Sequence, residues 1–323
     1  MSALPIKMVT KDYDFIAPLV YGDVAAEGLA LAVDRKTSMM AFLTSAEFQI
    51  GEMSFSQYII RTSQGQRDYV GMPIFATRGC RHRCFYVAEG SGMTRFQDLH
   101  GKRVGTNAWP DSGNTWSRAA MREAGGRIEE VDWWVGPIDN PGYDSFGHRP
   151  QVTLPPNVHP VEAGDTLLGM FERGALDGLM IPITPKLLYA PNSPIRRLFP
   201  DYVSLEKAYL KRVGYYPGFH IYAVQRPVFE AHPWLARSFL AAIEAARSAW
   251  QTKRVDLCDT SPWLEADMDE PAAVLGKDWH ANGFEVNRDM IQAMCDEELA
   301  QGLIDRPITP EQLFADYRHA MEA

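Results

Sequence analysis

Residues 96–106 read Phe-Gln-Asp-Leu-His-Gly-Lys-Arg-Val-Gly-Thr, and residues 109–115 read Trp-Pro-Asp-Ser-Gly-Asn-Thr. The first stretch ends in a short apolar run typical of a strand, and the second leads into a helix over 116–124. Gly125 and Gly126 end that helix. Such strand–loop–helix units build open, mostly parallel α/β sheets, in which ligands bind at the carboxyl ends of strands.

The same alternation recurs on both sides of this unit. A strand over 6–9 precedes a helical pattern over about 20–36, and a strand over 48–53 precedes a helix that begins after Ser54. Further along, a capped helix that ends at glycine is followed by a strand over 176–182. The repetition predicts an α/β protein.

Two longer segments complete this organisation. Residues 136–160 are rich in Pro, Gly and Asn, which is typical of a surface loop. Residues 233–253 form an amphipathic helix that we expect to pack on the first lobe. Its apolar stripe comprises Leu235, Phe239, Ile243, Ala246 and Trp250.

Bulk properties narrow the class of protein. A chain of 323 residues exceeds what one hydrophobic core usually organises, so we expect two lobes. The net charge of −9 argues against nucleic-acid and anionic-membrane partners, which require a basic face. The N-terminus lacks a signal-peptide pattern and the four cysteines are sparse, so we expect a cytoplasmic protein with reduced thiols and no membrane anchor.

A basic cluster is the densest chemical signal. Arg78, Arg81, His82 and Arg83 lie within six positions, where their charges repel one another unless an anion offsets them. Guanidinium groups suit a carboxylate, so we favour a binding role. Pairing of single arginines with surface acids remains the alternative.

The same segment carries a second alternative. Cys80, His82 and Cys84 alternate and would face one side of a strand as a soft metal triad. Buried, unreactive cysteines explain the pattern more simply, and no known metal motif accompanies it. We therefore predict no metal site.

Polar residues near predicted strand and helix ends are further candidates. The loop before the helix at 116 offers N–H groups and hydroxyls for a carboxylate, although such residues also cap helices. His220 begins a strand and suits proton transfer, or it is a hydrogen-bonded core residue. Asp12, Tyr13 and Glu52 lie at the expected ligand edge of strands.

Read together, several stretches resemble the 4,5-dihydroxyphthalate decarboxylase family. They include 52–58 (Glu-Met-Ser-Phe-Ser-Gln-Tyr), Arg81-His82 with 84–87 (Cys-Phe-Tyr-Val), 98–105, 115–118, 197–200 (Arg-Leu-Phe-Pro), 216–220 (Tyr-Pro-Gly-Phe-His), 276–279 (Gly-Lys-Asp-Trp) and 301–303 (Gln-Gly-Leu). The resemblance implies a two-lobed, type II periplasmic-binding-protein-like fold with mostly parallel sheets and a ligand cleft between the lobes. It implies a first lobe of residues 1–92 and 215–323 and a second of 93–214.

The resemblance also implies an activity, the loss of CO2 from a hydroxylated aromatic acid without metal or organic cofactor. Ring protonation then needs a proton donor, cations for the carboxylates and a base for the phenol. We predict His82 or His220 as the donor and Glu52 as the phenol acceptor. The predicted substrate-binding residues are Arg78, Arg81, Asp12, Tyr13, Ser112, Asn114, Thr115, Arg118 and Trp279.

Two other functions fit the same fold. One is a solute-binding protein for an aromatic carboxylate, which would bind the acid without releasing CO2. The other is a different lyase on this scaffold, which substrate screening would distinguish. The expected partner in each case is a small aromatic acid, and the sequence leaves open whether the chain forms a homo-oligomer.

Overall fold

The structure is a computed structural model that describes residues 3–38, 40–145, 147 and 149–322. Its strands are β1 (Leu4–Val9), β2 (Leu29–Asp34), β3 (Ile50–Ser54), β4 (Tyr69–Arg78), β5 (Phe85–Ala88), β6 (Arg103–Thr106), β7 (Asp132–Val135), β8 (Val158–Pro160), β9 (Gly178–Met180), β10 (Ile195–Arg197) and β11 (Gly218–Gln225). Its helices are α1 (Ala17–Tyr21), α2 (Ala41–Thr44), α3 (Phe55–Ser63), α4 (Ser112–Glu123), α5 (Leu167–Glu172), α6 (Tyr202–Val213), α7 (Arg226–Ala231), α8 (Leu235–Asp256), α9 (Leu264–Leu275), α10 (Phe284–Ala300), α11 (Pro310–Leu313) and α12 (Ala315–Glu322).

The chain divides into two compact units. The first comprises Met1–Arg78, Gly214–Cys295 and Ile308–Ala323, and the second comprises Gly79–Val213 and Asp296–Pro307. This division differs from the predicted one at residues 79–92, because β5 pairs with β9 and β10 in the second unit's sheet. It differs again at 296–307, where Gln301 donates to the Thr115 carbonyl of the second unit.

In the described residues of the first unit, the sheet has the order β2-β1-β3-β11-β4. β1 is parallel to β2 and β3, whereas β11 is antiparallel to both β3 and β4. The register pairs Tyr222 with Glu52 and His220 with Ser54. Because side chains alternate along a strand, Glu52, Tyr222 and His220 project from one face of this sheet.

In the described residues of the second unit, the sheet has the order β10-β5-β9-β6-β7-β8. The pairs β9–β6, β6–β7 and β7–β8 are parallel, and β5 is antiparallel to β9 and β10. Parallel pairing therefore predominates here, whereas the first unit's sheet is evenly mixed. The helix α4 follows β6 and is buried from Ser112 to Met121, so its first turn is held in the interior.

The helix predicted over 20–36 is wrong. α1 ends at Tyr21, where Gly22 adopts a left-handed φ of 82°, and residues 29–34 form the edge strand β2. β2 pairs residue by residue with β1, from Leu4 opposite Leu29 to Val9 opposite Asp34. Pairing with β1 outweighs the helix propensity of this Ala- and Leu-rich stretch.

Candidate active site

A buried carboxylate organises the polar face of the first unit's sheet. Glu52 on β3 is 2% exposed. Its Oε2 accepts a hydrogen bond from the Tyr13 hydroxyl at 2.8 Å and lies 3.0 Å from Nδ1 of His220. Its Oε1 accepts from the Lys11 backbone N–H at 2.6 Å and from the Thr10 hydroxyl. Four donors therefore converge on one carboxylate.

These contacts keep Glu52 ionised despite its burial. Burial alone would raise the pKa of Glu52, but the hydrogen bond and charge of His220, with the hydrogen bonds from the Thr10 hydroxyl and the Lys11 backbone N–H, outweigh it and hold the pKa below its usual value. An ionised carboxylate accepts hydrogen bonds and does not donate them, so Nδ1 of His220 carries a proton toward Glu52. The carboxylate thus fixes the orientation of the imidazole.

The other ring nitrogen of His220 is available. The side chain is 14% exposed, and within the described chain its only hydrogen-bond partner is Glu52, through Nδ1. Nε2 can therefore exchange a proton with a bound molecule. This pair brings together two of the predicted catalytic residues, His220 and Glu52, with the predicted binding residue Tyr13.

Two phenols complete the cluster. The Tyr222 hydroxyl lies 3.0 Å from Oγ1 of Thr10. Burial, together with the charge of Glu52, raises the pKa of Tyr13 and of Tyr222. Both phenols stay neutral at physiological pH, so Tyr13 remains a hydrogen-bond donor to Glu52. Thr10, Lys11 and Tyr222 were not predicted as site residues, although Thr10 follows β1 directly at the expected ligand edge.

Arg78 belongs to the first unit but is occupied by the protein itself. Its Nη atoms donate to the Tyr216 and Ala281 carbonyls at 3.1 and 3.0 Å and to Oδ1 of Asn287 at 2.8 Å. Burial, with the nearby charge of Arg247, lowers the pKa of Arg78 to about 9. These contacts tie the end of β4 to the start of α10, which differs from the predicted role in binding a carboxylate.

In the second unit, Arg81 lies against the first turn of α4. A Cβ added to Gly113 would fall 2.7 Å from Nη2 of Arg81, so glycine allows the guanidinium to approach the helix backbone. Arg81 also donates to the Pro182 carbonyl at 3.3 Å. The structure thus places Arg81 at the N-terminus of α4, where the helix dipole also favours an anion.

The predicted residues of this helix start are all buried. Ser112, Asn114 and Thr115 are each less than 4% exposed. Nδ2 of Asn114 donates to the Ala108 carbonyl at 2.8 Å, and the Asp111 side chain accepts from the Gly113 N–H as the N-cap. Arg81 and the start of α4 form the second polar cluster.

His82 is a core residue. It is 5% exposed, and the rings of Phe96, Phe199 and Tyr209 surround it at centroid distances of 5.9, 6.1 and 5.3 Å. Burial lowers the pKa of His82 to about 4, so the ring is neutral at physiological pH. Its Nδ1 lies 3.9 Å from Glu206, too far for a hydrogen bond. This environment does not suit the predicted proton donor.

Three other predicted binding residues have different contacts. Arg118 is fully buried, lies 3.9 Å over the Trp109 ring and donates to Gln301 at 2.7 Å. Asp12 pairs with Arg35 at 2.5 Å on the surface. Trp279 packs against rings of neighbouring residues. Arg118 is thus held in the second unit's core, and the Asp12 side chain is paired with Arg35.

The described residues contain no group of three His, Cys, Asp or Glu side chains that could hold a metal ion. Cys80 and Cys84 are buried and free. Among the helices of the described chain, none has the length and apolar character that a bilayer span requires.

No family model matches the chain. A curated protein named 4,5-dihydroxyphthalate decarboxylase from Comamonas testosteroni is 27% identical over 323 residues, which cover 97% of each chain. A protein of the same name from Pseudomonas putida is 28% identical over 209 residues, 62% of this chain and 79% of that protein. This chain is similar to 4,5-dihydroxyphthalate decarboxylases. The resemblance predicted from sequence motifs is confirmed.

Solved structures share the fold. The periplasmic aliphatic sulphonate binding protein SsuA from Escherichia coli superposes with a TM-score of 0.56 at 15% identity, covering 99% of this chain and 97% of that one. The alkanesulfonate-binding protein SsuA from Xanthomonas axonopodis pv. citri, bound to MOPS, gives 0.53 at 12% identity, covering 97% and 98%. At such identities the likeness concerns the fold, and it confirms the predicted periplasmic-binding-protein-like class.

Proposed function

We propose that this chain is a cofactor-independent decarboxylase of a hydroxylated aromatic acid, the activity that the names of its curated relatives state. The observation that carries the proposal is the pair of His220 and Glu52, in which a buried carboxylate holds one ring nitrogen and leaves the other available. A protein that only binds an acid needs no proton-transfer group of this kind.

The chemistry requires a proton before or as CO2 leaves. Direct loss of CO2 from an arene leaves its electron pair in a ring-plane orbital that the aromatic system cannot delocalise. A proton delivered to the carboxylate-bearing carbon avoids that anion, and an ortho or para hydroxyl stabilises the protonated ring. The C–C bond then breaks, its electron pair restores the aromatic ring, and CO2 departs.

His220 is the proton donor in this proposal. The imidazolium gives its Nε2 proton to the ring carbon, becomes neutral and regains a proton from solvent. One carboxylate and one proton are thereby converted to one C–H bond and one CO2. Of the two predicted donors, His82 is disfavoured because it is neutral and enclosed by aromatic rings.

Glu52 is a positioning residue in this proposal, and this revises the predicted role as phenol acceptor. Both carboxylate oxygens already accept hydrogen bonds from the protein, and the side chain is almost inaccessible. Glu52 orients the imidazole and offsets the positive charge of His220 when it carries the transferable proton.

The cluster of Arg81 and the start of α4 is proposed to bind a substrate carboxylate. The guanidinium supplies charge-assisted hydrogen bonds, and the helix start adds its dipole. Support comes from the close approach of Arg81 to Gly113. That this cluster and the His220 cluster act on the same substrate molecule stays a prediction from the sequence.

The test is a substrate screen with the purified chain. Hydroxylated phthalates and benzoates are incubated with and without a chelator, and CO2 and the arene product are followed. We expect CO2 from at least one acid that has a hydroxyl ortho or para to a carboxylate, at the same rate with chelator. Tight binding of an aromatic acid without CO2 release would instead favour the solute-binding alternative.

A further inference from the structure

Arg247 is a charged residue on the buried face of α8. It is 8% exposed, and its neighbours on that face, Ile243 and Ala246, are fully buried. The guanidinium carbon lies 4.2 Å from the centroid of the Phe15 ring. A cation in this setting loses most of its hydration, and contact with one aromatic face replaces only part of it.

The protein supplies Arg247 with no acceptor in the part of the chain that the structure describes. Nε is buried without a hydrogen-bond partner, and none of the described ion pairs includes this guanidinium. Glu244, one turn earlier, attracts it electrostatically, but the Glu244 carboxylate accepts a hydrogen bond from Asn282 at 2.5 Å. Buried charges are normally paired, so an unpaired guanidinium indicates a missing anion.

A second guanidinium strengthens the local positive charge. The charge of Arg247 contributes to the lowered pKa of Arg78, after the larger effect of burial. Arg78 uses its Nη atoms on carbonyl and amide oxygens, which are neutral and do not cancel its charge. In a chain of net charge −9, these two buried cations form a local anion-attracting site, in which the Nε atoms of both Arg78 and Arg247 are buried without a hydrogen-bond partner among the described residues.

The same residue adjoins the His220 cluster within the first unit. The Phe15 ring, which contacts the Arg247 guanidinium, stacks on the Tyr13 ring at a centroid distance of 5.4 Å and an interplanar angle of 11°. Tyr13 donates to Glu52, which holds His220. The charge of Arg247 also acts on Tyr222, two residues from His220 on β11, where it opposes the rise of the Tyr222 pKa.

We propose that Arg247 is a specificity-determining residue that binds a second carboxylate of the substrate, the one that is retained, with Phe15 beneath its guanidinium. The inference rests on the proposed decarboxylase function and names a residue for the carboxylate that a dicarboxylate substrate keeps. Phthalates carry two neighbouring carboxylates, of which a decarboxylase removes one. A planar guanidinium fork matches the retained carboxylate, and none of the ion pairs among the described residues engages it.

The probes are phthalate and benzoate, which differ by one carboxylate. Neither acid carries the hydroxyl group that the proposed chemistry needs, so neither should be turned over during the measurement. Binding of each is measured by calorimetry to wild type, Arg247→Met, Arg247→Lys and the control Arg254→Met. Arg254 lies later on α8, over the Trp250 ring. We expect Arg247→Met to weaken phthalate binding about tenfold or more and benzoate binding less than about twofold.

Arg247→Lys should recover part of the phthalate affinity, since it keeps the charge and loses the fork. Arg254→Met should bind both acids as wild type does. Removing an unpaired buried cation also relieves a desolvation cost, so the melting temperature of Arg247→Met without ligand should be unchanged or higher. A higher melting temperature of Arg247→Met, together with loss of its selectivity for phthalate, is the result expected of a binding residue and not of a structural one.

Equal loss of affinity for both acids, or no loss for either, would overturn the inference. So would a melting temperature for Arg247→Met lower by ~10 °C or more, because the guanidinium would then serve the fold. These outcomes are separate from failure of the proposed function, which is the absence of CO2 release by wild type from every hydroxylated acid. Selective phthalate binding through Arg247 would remain measurable in that case.

Discussion

Glu52 shows how single contacts decide the chemistry of a residue. Its carboxylate is buried, which by itself favours the protonated form, yet donors from Thr10, Lys11, Tyr13 and His220 hold it ionised. The pKa of a buried carboxyl therefore reports the donors around it. This residue carries the first prediction.

Glu52→Gln should destabilise the folded protein by about 1–3 kcal/mol at pH 7, because an ionised acceptor of four hydrogen bonds is lost. A carboxyl whose pKa is lower in the folded than in the unfolded state stabilises the fold above the unfolded value of 4.5. That contribution is lost as the pH falls through the folded value. The stability difference between wild type and variant should therefore shrink below pH 4.5, as measured by urea unfolding at several pH values.

The matched control is Glu47→Gln, which removes an exposed carboxylate paired with Lys7 at 2.7 Å. Exposed pairs contribute little, so this variant should unfold as wild type does at each pH. A constant stability difference for Glu52→Gln from pH 7 to pH 3 would mean that the carboxylate is not ionised in the folded protein.

His82 is a buried base whose lowered pKa also makes the stability of the fold depend on pH. The pKa of His82 is about 4 in the folded protein, whereas its ordinary value is 6.5. The unfolded chain therefore binds more protons than the folded protein between these two pH values. Stability is therefore complete above pH 6.5 and declines as the pH falls toward 4, by up to about 3 kcal/mol. His82→Leu should lose less stability over this window than wild type.

The control for His82 is His159→Gln, since His159 is partly exposed and pairs with Asp132 at 2.8 Å. It should keep the wild-type pH dependence. Chemical denaturation from pH 7.5 to 4.5 measures all three proteins. Identical acid sensitivity of wild type and His82→Leu would show that His82 is not held neutral by burial.

The sequence predicted part of this site. Glu52 and His220 were recognisable because both lie in motifs that resemble a known family, and because Glu52 lies near the end of a predicted strand and His220 at the start of one. His82 lies in such a motif too, and only its aromatic surroundings in the folded chain separate it from His220. Arg247 was missed, although a charge inside the apolar stripe of the helix over 233–253 was a usable signal.

At the scale of elements, the fold was predictable where local signals agreed with tertiary pairing. The strand at 48–53 and the helix after Ser54 appear as β3 and α3. Residues 29–34 read Leu-Ala-Leu-Ala-Val-Asp, which local propensity assigns to a helix, and they form β2 because β1 offers them backbone partners. Pairing between distant segments is not visible in a local window.

The first turn of α4 allows a test of whether Arg81 and this helix start bind a carboxylate together. Gly113→Ala places a methyl group 2.7 Å from Nη2 of Arg81, and the flexible guanidinium must move away from the helix backbone. If this helix start and Arg81 bind a carboxylate together, KM for the substrate should rise about tenfold with little change in melting temperature. Steady-state kinetics and thermal unfolding measure the two effects.

Gly142→Ala is the matched control in the same unit, because its Cβ would meet only the Asn140 side chain, at 3.4 Å. It should leave KM unchanged. A Gly113→Ala variant with wild-type KM would show that the position of Arg81 against α4 does not matter for binding.

At the scale of the whole molecule, the chain crosses between two units whose bounds follow from sheet pairing. The predicted return near 215 lies beside the observed boundary at Gly214. The predicted crossing near 93 falls later than the observed one after Arg78, because β5 lies in the second unit's sheet. Sequence motifs marked the units well but did not reveal which sheet an intervening strand joins.

If this chain releases CO2 with His220 as the proton donor, removal of that donor should slow the release. The most direct measurement compares wild type and His220→Gln for CO2 release from 4,5-dihydroxyphthalate at saturating concentration, with phthalate affinity measured in parallel. We expect a kcat for His220→Gln lower by roughly 100-fold or more and a phthalate affinity within about threefold of wild type. A variant that releases CO2 as fast as wild type would show that His220 is not the proton donor.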